Sequence, residues 1–125
     1  MATRKRTVLV VDDEPSLRLL CRVNLELEGY RVLEAATVEE ARRLLADELV
    51  DVALLDIHVG ADSGLDVLDE IETSGLDVRV VVLSGTSEIS PQLRARVDGV
   101  LGKPFALEEL LEAVTAEGSE RVAGP

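Results

Sequence analysis

Aromatic side chains are almost missing: the 125 residues include one Tyr, one Phe and no Trp. A core built from this chain must be aliphatic, and little is available to stack on a flavin ring or a nucleotide base. Cysteine is nearly absent too. Cys21 stands alone, which excludes an internal disulfide, fits a reducing compartment and leaves the thiol as a small apolar core group. Basic residues are scarce: 13 Lys and Arg face 25 Asp and Glu, for a net charge of −12. Duplex binding needs a basic face, so no direct nucleic-acid binding is expected of this domain. The excess acid serves solubility, or some of it converges on a cation; composition admits both. No apolar run approaches the ~20 residues of a membrane span. Residues 1–6 are basic, but the apolar stretch after them is too short for a secretory signal. A cytoplasmic protein without membrane attachment is expected. The nine glycines are not gathered into a phosphate-cradling loop.

What the chain does have is alternation. Short apolar, β-branched stretches occur at 7–11, 30–35, 50–55, 79–83 and 97–101. Between them run segments with helical spacing. Val38, Ala41, Leu44 and Leu45 form one such set, Leu65, Leu68 and Ile71 a second, and Leu107, Leu110, Leu111 and Val114 a third. Residues 16–28 are less regular, with Leu17, Leu20 and Cys21 expected on one face. Pro15 suits a first helical turn, Thr37 with Glu40 reads as a capping box, and Gly29 as a helix stop. Runs such as 80–83 do not alternate with polar residues, which suggests strands covered on both faces. Five β-α units with right-handed crossovers predict an α/β, flavodoxin-like, doubly wound five-stranded parallel sheet in the order 2-1-3-4-5. Between residues 83 and 97 the one helix candidate starts near Pro91, so the fourth helix is expected to be short or irregular. One domain is expected over residues 1–118, with 119–125 a frayed tail or the start of a linker.

Ligands of such sheets bind beyond the C-terminal ends of the strands. Asp12, Asp13 and Glu14 follow the first strand, Asp56 ends the third, Ser84 follows the fourth and Lys103 the fifth. In the order 2-1-3-4-5 the first and third strands are neighbours, so Asp12, Asp13 and Asp56 should cluster. Three clustered carboxylates call for a cation, and hard oxygen ligands in an incomplete cage favour Mg²⁺. The acids after the first strand also suit a helix N-terminus, and Asp56 with Lys103 also suits a simple salt bridge.

These motifs, in order and far apart, resemble a response-regulator receiver domain over about residues 7–117. They are Leu9-Val10-Val11-Asp12-Asp13-Glu14, then Leu54-Leu55-Asp56, then Gly64, Leu83-Ser84-Gly85 and Lys103-Pro104-Phe105. The resemblance implies a phosphorylation-controlled signalling switch rather than a conventional enzyme. Asp56 would accept a phosphoryl group from a histidine kinase or phosphotransfer protein. Mg²⁺ would be held by Asp12, Asp13, Asp56 and the backbone carbonyl of His58. Lys103 and Ser84 would contact the phosphoryl oxygens, a cis peptide would precede Pro104, and a downstream protein target would read the change. Lys103 is expected to matter for switching more than for folding. Two other readings remain at this point: a degenerate receiver that binds partners without phosphorylation, and a small-molecule enzyme or cofactor carrier on the same fold.

Four features depart from the family's common pattern. The stretch from Ser84 to Lys103 is short. Val100 replaces an aromatic switch residue, Gly60 replaces a common proline, and His58 occupies a position that often carries Asn or another polar or apolar residue. The first two point to an unusual output, in which activation changes the order of residues 85–97 rather than rotating a ring. The His58 ring is expected to affect the survival of the phosphorylated state, or else to be a loop residue near the site.

Overall fold

A computed structural model describes residues 5–85 and 89–115. The main sheet consists of β1 (Thr7–Val11), β2 (Arg31–Ala35), β3 (Val52–Asp56), β6 (Arg79–Ser84) and β7 (Gly99–Gly102). All neighbours are parallel, in the order β2-β1-β3-β6-β7. This is the 2-1-3-4-5 order, with one addition: a small antiparallel hairpin of β4 (His58–Val59) and β5 (Asp62–Ser63). Two-residue strands give no hydrophobic period, so sequence patterning does not reveal them.

The apolar runs feed two cores at once, because side chains alternate across a sheet. Leu9, Val11, Ala53, Leu55, Val80 and Val82 face α2 (Val38–Asp47) and α3 (Leu65–Thr73). Val8, Val10, Val52, Leu54, Val81 and Leu83 face α1 (Pro15–Leu27) and α5 (Leu107–Thr115). Burying each such aliphatic side chain stabilises the fold by about 1.5–3 kcal/mol before entropy is counted, so a core almost without aromatics suffices. Thr37 Oγ1 accepts from the Glu40 N–H at 3.1 Å, and the Glu40 carboxylate accepts from the Ala36 N–H at 2.8 Å. The capping box therefore closes one residue earlier than its usual form.

Leu20 does not share the face of Leu17 and Cys21. It is 49% exposed, with Leu19, Val23 and Leu27 beside it on a second, outward apolar stripe of α1. Periodicity alone cannot tell a core stripe from a surface one when a helix carries both. The fourth helix, α4 (Pro91–Arg96), has six residues. Ser90 Oγ caps it from the Leu93 N–H, and Leu93 and Val97 pack against the α2–α3 side. Arg96 ties its end to α3 through Asp69 at 2.6 Å and Glu72 at 2.7 Å. In this state these contacts hold the later half of residues 85–97; residues 86–88 lie outside the described residues. The expected tail at 119–125 also lies outside them. Among the described residues, no helix is long and apolar enough to cross a membrane.

Candidate functional site

Strand order creates the site. Because β1 lies beside β3, the two acids that follow β1 meet the one that ends β3. One carboxylate oxygen from each of Asp12, Asp13 and Asp56 lies within 4.8 Å of the others. Asp12 is fully buried, Asp56 is 8% exposed, and Asp13 faces solvent.

Asp12 is fixed from several directions. Its N–H donates to the Ala35 carbonyl and its own carbonyl accepts from the Arg18 guanidinium at 2.7 Å. Its carboxylate accepts from the Glu14 N–H at 2.9 Å and from Lys103 Nζ at 2.8 Å. Arg18 also donates to Glu34, which pairs with Arg22 as well. Arg18 carries no motif signal, because its role depends on a contact between α1 and β2 that spacing does not reveal.

Lys103 reaches the same place from the C-terminal end of the edge strand β7. Its Nζ lies 3.3 Å from Asp56 Oδ2. The lysine backbone is set by β7: Ser84 pairs in register with Gly102, and the Lys103 N–H donates to the Ser84 carbonyl at 2.7 Å. The Lys103–Pro104 peptide is cis. Ser84 is buried at the end of β6, one residue past Leu83, which pairs with Asp56.

Burial raises the pKa of Asp56, the Asp12 charge raises it further, and Lys103 works against both. Burial opposes the charge on Lys103, but hydrogen bonds to and charges of Asp12 and Asp56 outweigh it and the lysine pKa rises. The Cys21 thiol is pushed up to about 11, first by burial and then by Asp12, so it is not a nucleophile at neutral pH. The salt bridge is present, but it does not balance the cluster. Three carboxylates less one ammonium leave two negative charges, all on hard oxygen donors, which fits a divalent cation.

Gly64 opens α3 against the site. Its N–H donates to the Ile57 carbonyl at 2.7 Å, and an added Cβ would collide with the Asp56 carbonyl oxygen. A glycine is required there by close approach of the backbone. The hairpin lies over the cluster. The His58 N–H approaches Asp56 Oδ1 at 3.4 Å, and the Gly60 N–H donates to Asp13 Oδ2 at 3.0 Å. The His58 side chain is exposed.

The profile of the response regulator receiver domain family matches residues 8–115. The transcriptional regulatory protein KdpE of Mycobacterium tuberculosis is 37% identical over 112 residues, which is 87% of this chain and 49% of that protein. The response regulator MprA of Mycolicibacterium vanbaalenii is also 37% identical over 112 residues, covering 87% of this chain and 48% of its own. The chain thus spans about half the length of the curated relatives it matches. Among solved structures, the response regulator TrrA of Thermotoga maritima, in complex with Mg²⁺-BeF, superposes with a TM-score of 0.81 at 34% identity. That match covers 89% of this chain and 97% of the other. A CheY-like receiver domain protein from Methanospirillum hungatei reaches a TM-score of 0.84 at 25% identity, covering 98% and 100%. The chain, with its Asp12, Asp13, Asp56 and Lys103 pocket, belongs to the response-regulator receiver domain family.

Proposed function

We propose that the Asp56 carboxylate is the phosphoacceptor of a two-component switch. The observation that carries this reading is the meeting of Asp12, Asp13 and Asp56 with Lys103 at the strand ends. A carboxylate oxygen of Asp56 attacks phosphorus, a new O–P bond forms, and the bond to the donor breaks with its electron pair leaving on the donor. Mg²⁺, once bound, would neutralise phosphoryl charge and align the donor. Asp12, Asp13, Asp56 and the His58 carbonyl would hold it. Lys103 then exchanges its carboxylate partners for phosphoryl oxygens, and Ser84 donates its hydroxyl to the same group. The phosphodonor is a histidine kinase or phosphotransfer protein, and the output is contact with a downstream protein. Among the described residues, four of the seven exposed large hydrophobics lie on α1, which offers a surface to such a protein. A receiver unit of residues 1–118 acting in the cytoplasm, with 119–125 a tail or linker, fits this role. The degenerate-receiver reading is disfavoured by the complete set of carboxylates and lysine. Incubation with Mg²⁺ and acetyl phosphate should add one phosphoryl mass, and beryllofluoride should shift amides around Ser84. No mass gain and no shifts would overturn the reading.

Two further outcomes are expected. His58 is exposed beside Asp56, where its ring can influence water approaching the acyl phosphate. His58→Asn should change the decay rate of phosphorylated protein by about 2–10-fold, a shift of only ~0.4–1.4 kcal/mol in barrier, without moving the label. Equal decay rates would leave His58 without a part. Hydrogen exchange with and without beryllofluoride should change within residues 85–90, while 92–97, anchored by Arg96, stay protected in both states. Loss of protection across 92–97 on activation would contradict this.

A further inference from the structure

Gly60 stands where the family commonly has proline. Its backbone φ is +61°, a left-handed conformation closed to proline. Its N–H donates to Asp13 Oδ2 at 3.0 Å, across 47 positions of sequence. A proline could do neither. Asp13 is the exposed member of the acidic cluster, and Gly60 is its one hydrogen-bond partner among the described residues. Asp12 is fixed by a lysine, an amide and buried walls; Asp13 has this single tie. We infer that Gly60 is a positioning residue for Asp13. Its N–H holds the exposed carboxylate aimed at the cluster, and the β4–β5 hairpin becomes one wall of the cation site.

The chemistry allows both bonds together. A carboxylate has two oxygens with about four lone-pair directions, so Oδ2 can accept the Gly60 N–H while Asp13 still ligates a cation. An unrestrained exposed aspartate would have to give up side-chain rotamers on binding metal; a held one has already done so. The hairpin keeps Gly60 in place. Val59 is buried, His58 and Val59 pair with Ser63 and Asp62, and Gly64 is bonded to Ile57 at the base.

This inference rests on Asp13 being a cation ligand, and the experiment separates the two. Mg²⁺ is titrated into the full chain and followed by amide shifts, for the native protein, Gly60→Asn and an amide-to-ester replacement of Gly60 by glycolate. Asn tolerates the left-handed conformation and keeps the N–H, whereas the ester keeps the shape and loses the donor. The ester should bind Mg²⁺ about tenfold more weakly and Gly60→Asn within about twofold of native, with similar melting temperatures. Native-like binding by the ester would overturn the inference while leaving the phosphoacceptor reading intact. So would an equal loss in Gly60→Asn, because the loop rather than the N–H would then matter. Absence of saturable Mg²⁺ shifts in the native protein would overturn both. A metal-free readout stands beside these: Asp13→Ala should speed exchange of the Gly60 amide, and an unchanged rate would show that the tie does not hold the hairpin.

Discussion

Asp56→Asn is expected to take no phosphoryl label from acetyl phosphate and Mg²⁺, and yet to be more stable than the native protein without metal. An amide lacks the carboxylate oxygen that attacks phosphorus, so the loss should be complete within detection. Stability should rise because Asp56 lies beside buried Asp12 and one lysine serves both. Relieving a partly compensated like-charge contact is worth on the order of 1 kcal/mol. The sign follows from the raised Asp56 pKa. A carboxyl whose folded pKa exceeds its unfolded value stabilises the fold below the unfolded pKa and loses that contribution as pH rises through the folded one. The advantage of the Asn variant is therefore present at neutral pH. It should shrink as pH falls through the raised pKa of Asp56 and vanish below the ordinary carboxylate range. Urea melts of both proteins at neutral and acid pH, with mass spectrometry for the label, check both halves. A labelled Asp56→Asn would remove the assignment, and a variant less stable at neutral pH would mean that Lys103 outweighs the repulsion.

The strands and their order are legible because each burial pattern is local. A run such as Val80 to Leu83 has no polar alternation, and only a sheet with two covered faces accommodates that. From the order, the meeting of Asp12, Asp13 and Asp56 follows directly. The features that sequence conceals are those made by single backbone groups. The Gly60 N–H on Asp13, the Arg18 bond to the Asp12 carbonyl and the two-residue hairpin carry no hydrophobic period. Leu20 misleads for a related reason. α1 carries one apolar stripe for the core and another for solvent, and 3.6-residue spacing fits both. The fourth helix reads as short from Pro91 onward, but its anchoring does not, since Arg96 finds its partners on α3 at 24 and 27 positions' separation.

Lys103→Ala should unfold more easily than the native protein in the absence of divalent cation, and more so than a role confined to switching would allow. Lys103 Nζ is bonded to Asp12, whose side chain has no exposure, and lies 3.3 Å from Asp56. Removing it strands two carboxylates in a buried setting. Breaking a buried pair from one side costs about 3–5 kcal/mol. The lysine side chain is 23% exposed, so solvent recovers part of this and a loss of about 2–3 kcal/mol is expected, or roughly 10 °C in melting temperature. The raised lysine pKa gives the pH window. On the lysine side the stabilisation is lost as pH rises through the folded lysine pKa, so native and variant should converge in strong alkali, and they should converge again in acid, once the carboxylate partners are protonated. A divalent cation supplies the missing positive charge, hence millimolar Mg²⁺ should raise the melting temperature of Lys103→Ala more than that of the native chain. Phosphorylated variant should still fail to give the amide shifts around Ser84, because nothing draws the phosphoryl oxygens toward β7. Equal stability without metal would restrict Lys103 to the switch, and normal activated-state shifts would restrict it to the fold.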